Sequence, residues 1–295
     1  MTIGTRTTDR PVSRAVKLVL KAQATQDGAG VSLYRAIGNP TLREIDPFLL
    51  LDEMHSDRPE DYIAGFPPHP HRGFETLSYM VSGRMRHRDS RGNEGVVGSG
   101  GVQWMSAGRG IIHSEIPEQE NGLLWGYQLW INLPAARKMD QPQYRDIPEK
   151  EIPTVKLKDG GFIKVIAGQR VSDKPGPVVR DDIGLVFLDV FLPRHARLTR
   201  PLPRGHTVFA YVADGEVEFG CGSYNSPATV HERTVAVFDD GDHVSAITDN
   251  STARFLLVAG KALGEPIARH GPFVMNTQTE INQAIRDYET GTLGS

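Results

Sequence analysis

Short apolar stretches with period-two character recur along this chain, separated by glycine and proline turns, and only its end carries a helical period. Residues 16–20 form the first strand candidate. The turn Asp27-Gly28-Ala29-Gly30 separates them from residues 31–35, which predicts a hairpin of the two segments. A buried-looking run at 47–51 follows, then a charged, irregular loop from His55 to Gly65. Strand candidates continue at 77–81, 84–88, 102–105 and 127–133. Pro134, Pro142, Pro148 and Pro153 then suit a short helix at 135–139 and an extended linker. The second half resumes the pattern at 163–167, 186–192, 208–212, 216–219, 234–238 and 255–259. Near the end, Ile281, Ile285 and Tyr288 share one helical face, and Thr277 is a fitting cap. The expected fold class is therefore all-β with a short C-terminal helix.

Two copies of one unit are visible. Phe74-Glu75-Thr76-Leu77-Ser78-Tyr79-Met80-Val81-Ser82-Gly83 aligns with His206-Thr207-Val208-Phe209-Ala210-Tyr211-Val212-Ala213-Asp214-Gly215, with Tyr79/Tyr211 and Gly83/Gly215 at equal spacing. Upstream, His69 and His71 correspond to Pro201 and Pro203, and Glu75 corresponds to Thr207, so the copies differ where chemistry is expected. This divides the chain into a polar tail at 1–13, a domain at 14–135, a linker at 136–153, and a second domain at 154–295 that lacks the histidines and ends in the helix.

Composition narrows the class. With 36 acidic and 33 basic residues the net charge is -3, against charge-driven nucleic-acid binding. No apolar run is long enough to span a membrane. One cysteine, Cys221, excludes an internal disulfide, and the first residues lack an apolar signal core; a cytoplasmic setting is the expectation.

The chemistry concentrates in the first copy. His69 and His71 have i, i+2 spacing, which on a strand puts both imidazoles on one face, close enough for one metal. After the turn Gly108-Arg109-Gly110, His113 and Glu115 repeat that spacing. An isolated H-x-H pair is usually incidental. Two such pairs on antiparallel strands would place three imidazoles and one carboxylate around a point, a donor set suited to iron, manganese, nickel or copper, with zinc also open. Glu75 shares the parity of His69 and His71 if no bulge intervenes.

Long motifs here resemble the pirin family. They are Gly65-Phe66-Pro67-Pro68-His69-Pro70-His71-Arg72-Gly73-Phe74-Glu75-Thr76-Leu77-Ser78-Tyr79, Gln103-Trp104-Met105-Ser106-Ala107-Gly108-Arg109-Gly110-Ile111-Ile112-His113-Ser114-Glu115 and His270-Gly271-Pro272-Phe273-Val274-Met275-Asn276-Thr277. The resemblance implies a bicupin, two cupin β-barrels packed face to face, with one metal, most often Fe(II), in the N-terminal barrel. It implies His69, His71, His113 and Glu115 as ligands and puts Glu75 in a supporting position behind them. It also implies quercetin 2,3-dioxygenase activity on a flavonol and dioxygen, with Glu115 as the base for the flavonol hydroxyl. Mammalian members act as nuclear transcription coregulators, so a regulatory protein with a protein partner and no turnover is the alternative. The expected state is a monomer.

Phe66, Phe74, Tyr79, Trp104 and Met105 are candidates for an apolar pocket wall, equally suited to plain core. Arg84, Arg86 and Arg88 share one strand face, most simply a solvated one. His55, His87, His195, His206, His231, His243 and His270 lack paired ligand spacing. No phosphate-binding loop, dinucleotide fingerprint or nucleophile elbow is present.

Overall fold

The computed structural model describes residues 11–119, 121–168, 174–223 and 226–295. In its first half the strands are β1 (Val16–Lys21), β2 (Gln23–Asp27), β3 (Val31–Ile37), β4 (Phe48–Ser56), β5 (Phe66–His71), β6 (Phe74–Ser82), β7 (Met85–Asp89), β8 (Glu94–Val97), β9 (Val102–Ser106), β10 (Ile111–Pro117), β11 (Leu124–Asn132) and β12 (Gln143–Ile147). A seven-stranded antiparallel sheet, in the order β12-β9-β6-β11-β4-β3-β2, faces a four-stranded sheet, β5-β10-β7-β8.

The second half builds one ten-stranded sheet with a contribution from β1. It comprises β13 (Thr154–Lys156), β14 (Phe162–Ala167), β15 (Val186–Leu192), β16 (Arg197–Pro201), β17 (His206–Phe219), β18 (Ala228–His231), β19 (Thr234–Phe238), β20 (His243–Ile247) and β21 (Ala253–Lys261). A small pair, β22 (Ala268–His270) and β23 (Phe273–Met275), leads to helix α1 (Gln278–Glu289). Thr277 caps α1 in a capping box with Glu280, while Ile281 and Ala284 are buried and Tyr288 is exposed at its rim.

The repeat has a structural meaning. β6 lies between β9 and β11, and β17 lies between β19 and β21, so Tyr79 and Tyr211 sit on equivalent central strands. Apolar side chains from both sheets form one continuous core between the barrels, including Leu77, Tyr79 and Leu129 from the first and Phe187, Phe209 and Tyr211 from the second. The second barrel is filled by its own cluster of Val, Leu, Ile, Ala and Phe.

Three expectations change. β1 does not pair with β3; it pairs with β19 in the second sheet, and the 27–30 turn joins β2 to β3. The alternation at 16–20 was compatible with either partner, since periodicity selects a face and not a neighbour. The proline-rich stretch after 134 holds two 3-10 turns, Ala135–Arg137 and Glu149–Glu151, with β12 between them as an edge strand on β9 rather than an extended linker alone. Residues 1–10 of the expected tail lie outside the described residues, but Ser13 at its end is buried, as is Arg14, which opens the expected domain and donates to carbonyls of Pro203, His206 and Asp239 in the second half.

Candidate metal centre

β5 and β10 are antiparallel neighbours, and His69 stands directly opposite His113. His71, two residues on from His69, points to the same face. The ring centroids of His69, His71 and His113 are 4.4–4.8 Å apart. One nitrogen from each lies within 4.8 Å of the others, close enough to share one metal ion. β10 alternates strictly, with Ile111, His113, Glu115 and Pro117 buried between half-exposed neighbours, so His113 and Glu115 face inward together.

The imidazoles suit metal binding chemically. His69 Nδ1 is 2.8 Å from the Pro67 carbonyl, leaving Nε2 free. Both nitrogens of His71 and Nε2 of His113 are buried without a hydrogen-bond partner. Orphaned buried nitrogens are costly, and a cation resolves that cost. Burial and mutual repulsion hold His71 and His113 well below the ordinary histidine range, so each presents a neutral ring. His71 also meets the edges of Phe74 and Trp130, at 5.0 and 5.2 Å, which fix its plane.

Glu115 is buried on the same strand but lies outside the tight histidine cluster. Its Oε1 accepts from Ser78 Oγ at 3.0 Å and its Oε2 from Gln128 Nε2 at 2.7 Å. Trp130 Nε1 donates to Gln128 Oε1 at 3.0 Å, which aims the amide N–H groups at Glu115. Glu75 is drawn elsewhere. Gly73, at φ +88°, turns the chain from the four-stranded sheet into the seven-stranded one, so the parity between His71 and Glu75 breaks. A Cβ at Gly73 would overlap the Val274 carbonyl, so the turn requires glycine. Glu75 instead pairs with Arg180 of the second half and accepts from Trp104 Nε1 at 3.4 Å. No contact of Glu75 with the three histidines supports the position behind them.

His69 and His71 line a cavity of about 520 Å³. Its apolar wall includes Leu33, Leu50, Met54, Phe66 and Trp130. Of the wall candidates read from sequence, only Phe66 lines it; Phe74, Tyr79 and Met105 are fully buried in packing, and Trp104 bonds Glu75. The polar wall was not anticipated: Arg35 grips Asp52 through two hydrogen bonds of 2.8 and 2.7 Å and also reaches Asp27. Arg86 and Arg88 pair with Glu94, and Arg84 with Glu118, which suits the solvated reading of that face.

His87 was missed. Its side chain and that of Asp89 are fully buried; His87 lies within hydrogen-bond reach of Asp89 and His113, and Asp89 also accepts from Arg91 and Asn93. Burial raises Asp89, but hydrogen bonds from Asn93, His87 and Arg91 outweigh it and hold this carboxyl below its ordinary range. The available signal was His87-x-Asp89, a third pair at i, i+2 spacing; what it lacked was the register that sets Asp89 opposite His113.

Comparison with known proteins decides the family. The pirin model matches residues 30–131, and the model of the pirin C-terminal cupin domain matches residues 187–294. This chain belongs to the pirin family. It is 44% identical to a pirin-like protein of Caulobacter vibrioides, across 95% of this chain and 99% of the relative. It is 40% identical to human pirin, across 96% and 94% of the two chains. The crystal structure of a quercetin 2,3-dioxygenase from Acinetobacter baumannii superposes with a TM-score of 0.87 at 33% identity, covering 96% of this chain and 99% of that one. The bicupin architecture of the pirins is thus that of this chain, and the histidine cluster in its first cupin domain could hold a metal. Among the described residues, no helix is long and apolar enough to cross a membrane.

Proposed function

We propose that this pirin is a metal-dependent quercetin 2,3-dioxygenase, opening the central ring of a flavonol with dioxygen and releasing carbon monoxide. The observation that carries the reading is a cluster of three imidazoles, two of them with buried unpartnered nitrogens, beside a largely apolar cavity that His69 and His71 line. His69, His71 and His113 would hold the metal, with Glu115 as the fourth ligand, and Fe(II) is the ion we assign. Bound there, the metal supplies a Lewis-acid site for the flavonol oxygens and redox capacity toward dioxygen.

The chain's own groups do the rest. Leu33, Leu50, Met54, Phe66 and Trp130 offer flat apolar surface to an aromatic substrate and exclude water from it. Glu115 takes the proton of the flavonol 3-hydroxyl onto a carboxylate oxygen. Ser78 and Gln128 already donate to both oxygens, so they hold the carboxylate in place before and after that transfer. The structural match to a quercetin dioxygenase across nearly the whole chain supports the substrate class.

The test is anaerobic loading with iron(II), metal quantitation, and an aerobic quercetin assay with carbon monoxide detection. One metal per chain and carbon monoxide from the wild type, but neither from His69→Ala, is the expected result. Glu115→Gln should retain the fold and lose turnover; turnover that survives with metal retained would remove Glu115 as the base. Bound metal without turnover would favour the regulatory reading.

A further inference from the structure

We infer that Asp89 and His87 are positioning residues that set the tautomer of His113, keeping its Nε2 lone pair free for the metal. The inference rests on the metal-site reading above and adds to it a buried relay that runs from a carboxylate through one imidazole to a second.

The argument follows the protons. Asp89 Oδ1 accepts the backbone N–H groups of Arg91 and Asn93, at 2.9 and 3.0 Å, and Oδ2 accepts from Asn93 Nδ2 at 2.8 Å. An ionised carboxylate can only accept. His87 Nε2, 3.1 Å from Asp89 Oδ2, must therefore carry a proton. The inference gives His87 a single ring proton, spent on Asp89, so its Nδ1 carries the lone pair. That atom lies 3.3 Å from His113 Nδ1. His113 Nδ1 must then be the donor, and its Nε2 is left as a lone pair. This is the atom that is buried with no hydrogen-bond partner in the protein. Tyr144 stacks on His87 at 4.2 Å and 20°, and its hydroxyl donates to Asp146 at 2.7 Å, so the His87 ring is held in plane. Such outer partners fix the ring orientation and basicity of metal-bound histidines, and losing one typically costs about 10–100-fold in metal affinity.

Asp89→Asn inverts the relay with little change in shape. The new amide must keep its oxygen where the two backbone N–H groups donate, so its NH2 faces His87 Nε2 and the Asn93 amide, which flips to present its oxygen. His87 would then carry its proton on Nδ1 and donate to His113 Nδ1. The His113 proton would move to Nε2, the position that must be free. His87→Phe keeps a ring against Tyr144 and removes the acceptor outright.

Two measurements test this on the full chain. Long-range proton–nitrogen correlation spectra of the metal-free, histidine-labelled protein should show His113 protonated on Nδ1 in the wild type and on Nε2 in Asp89→Asn. Chelator competition with cobalt(II) should show binding weakened at least tenfold in Asp89→Asn and in His87→Phe, with thermal melting confirming that each variant is folded. Wild-type His113 protonated on Nε2, or folded variants with wild-type affinity, would overturn the inference. If Asp89→Asn fails to fold, the wild-type spectrum and His87→Phe still decide. A wild type that binds no cobalt would instead sink the metal-site reading, while the tautomer spectrum would judge the relay separately.

Discussion

The phenol of Tyr79 donates a 2.6 Å hydrogen bond to Asp189 Oδ2, from the central strand of the first barrel to a carboxylate of the second. Tyr211, its counterpart in the repeat, returns the gesture to Glu53 Oε2 at 2.7 Å. All four side chains are buried. The barrels are thus tied by a reciprocal pair of charge-assisted bonds inside an otherwise apolar interface.

The two bonds should not be equally costly to lose. Asp189 is also held by Arg254 through Nε and Nη2, at 3.0 and 2.6 Å, so Tyr79→Phe leaves a charge that is still paired. Glu53 otherwise accepts from Trp125 Nε1 at 2.9 Å, with His55 Nδ1 3.7 Å away and no arginine bonded to it among the described residues. Burial already pushes the Glu53 carboxyl above its ordinary range. Tyr79→Phe should cost about 1 kcal/mol and Tyr211→Phe about 2–3 kcal/mol, read from denaturant midpoints. The reverse order would show that Arg254 does not compensate.

Glu75 and Arg180 offer a sharper case. Arg180 keeps Asp182, through two 2.7 Å bonds, if Glu75 is removed. Glu75, if Arg180 is removed, keeps only the long bond from Trp104. Arg180→Met should therefore destabilise by about 3–5 kcal/mol, the usual scale for an orphaned buried charge, and Glu75→Gln by less. Metal stoichiometry should be unchanged in Glu75→Gln, measured by elemental analysis. A loss of metal there would return Glu75 to the ligand environment.

Asp52 predicts a pH dependence. Burial pushes its carboxyl up to about 6 although Arg35 pulls the other way. The folded state thus holds this proton more tightly than the unfolded chain. The linked stabilisation is fully present below the ordinary aspartate value near 3.8 and is lost as pH rises through about 6. Thermal melts of wild type and Asp52→Asn should diverge in the wild type's favour as pH falls across that window, with a ceiling of about 3 kcal/mol. A difference that is flat from pH 7 to 4 would refute the assignment.

Much of this was legible in sequence because the relevant spacing was local. His69, His71 and His113 come together because an H-x-H strand end and a glycine-flanked second strand carry their own geometry, and period two does not care about distant partners. Glu75 was misplaced for the same reason: parity holds only within a strand, and Gly73 ends one sheet and begins another. Long-range facts stayed hidden. The register of β7 against β10, which recruits His87 and Asp89, and the choice of β19 by β1 are set by side chains far apart in the chain. The repeat did reveal that Tyr79 and Tyr211 were equivalent, but not that each reaches into the other barrel.

The path of the backbone has a consequence for biosynthesis. The strand that carries His71 is braced by β23 and α1: Val274 N donates to the Arg72 carbonyl at 3.0 Å, and Arg72 Nη1 reaches Asp287 in α1 at 2.8 Å. Leu293 packs beside Gly110, just ahead of the strand bearing His113. A ribosome that has delivered every histidine of the cluster has still not delivered this brace. The histidine cluster thus leans on support synthesised long after it, and a chain cut before β23 would lack that support.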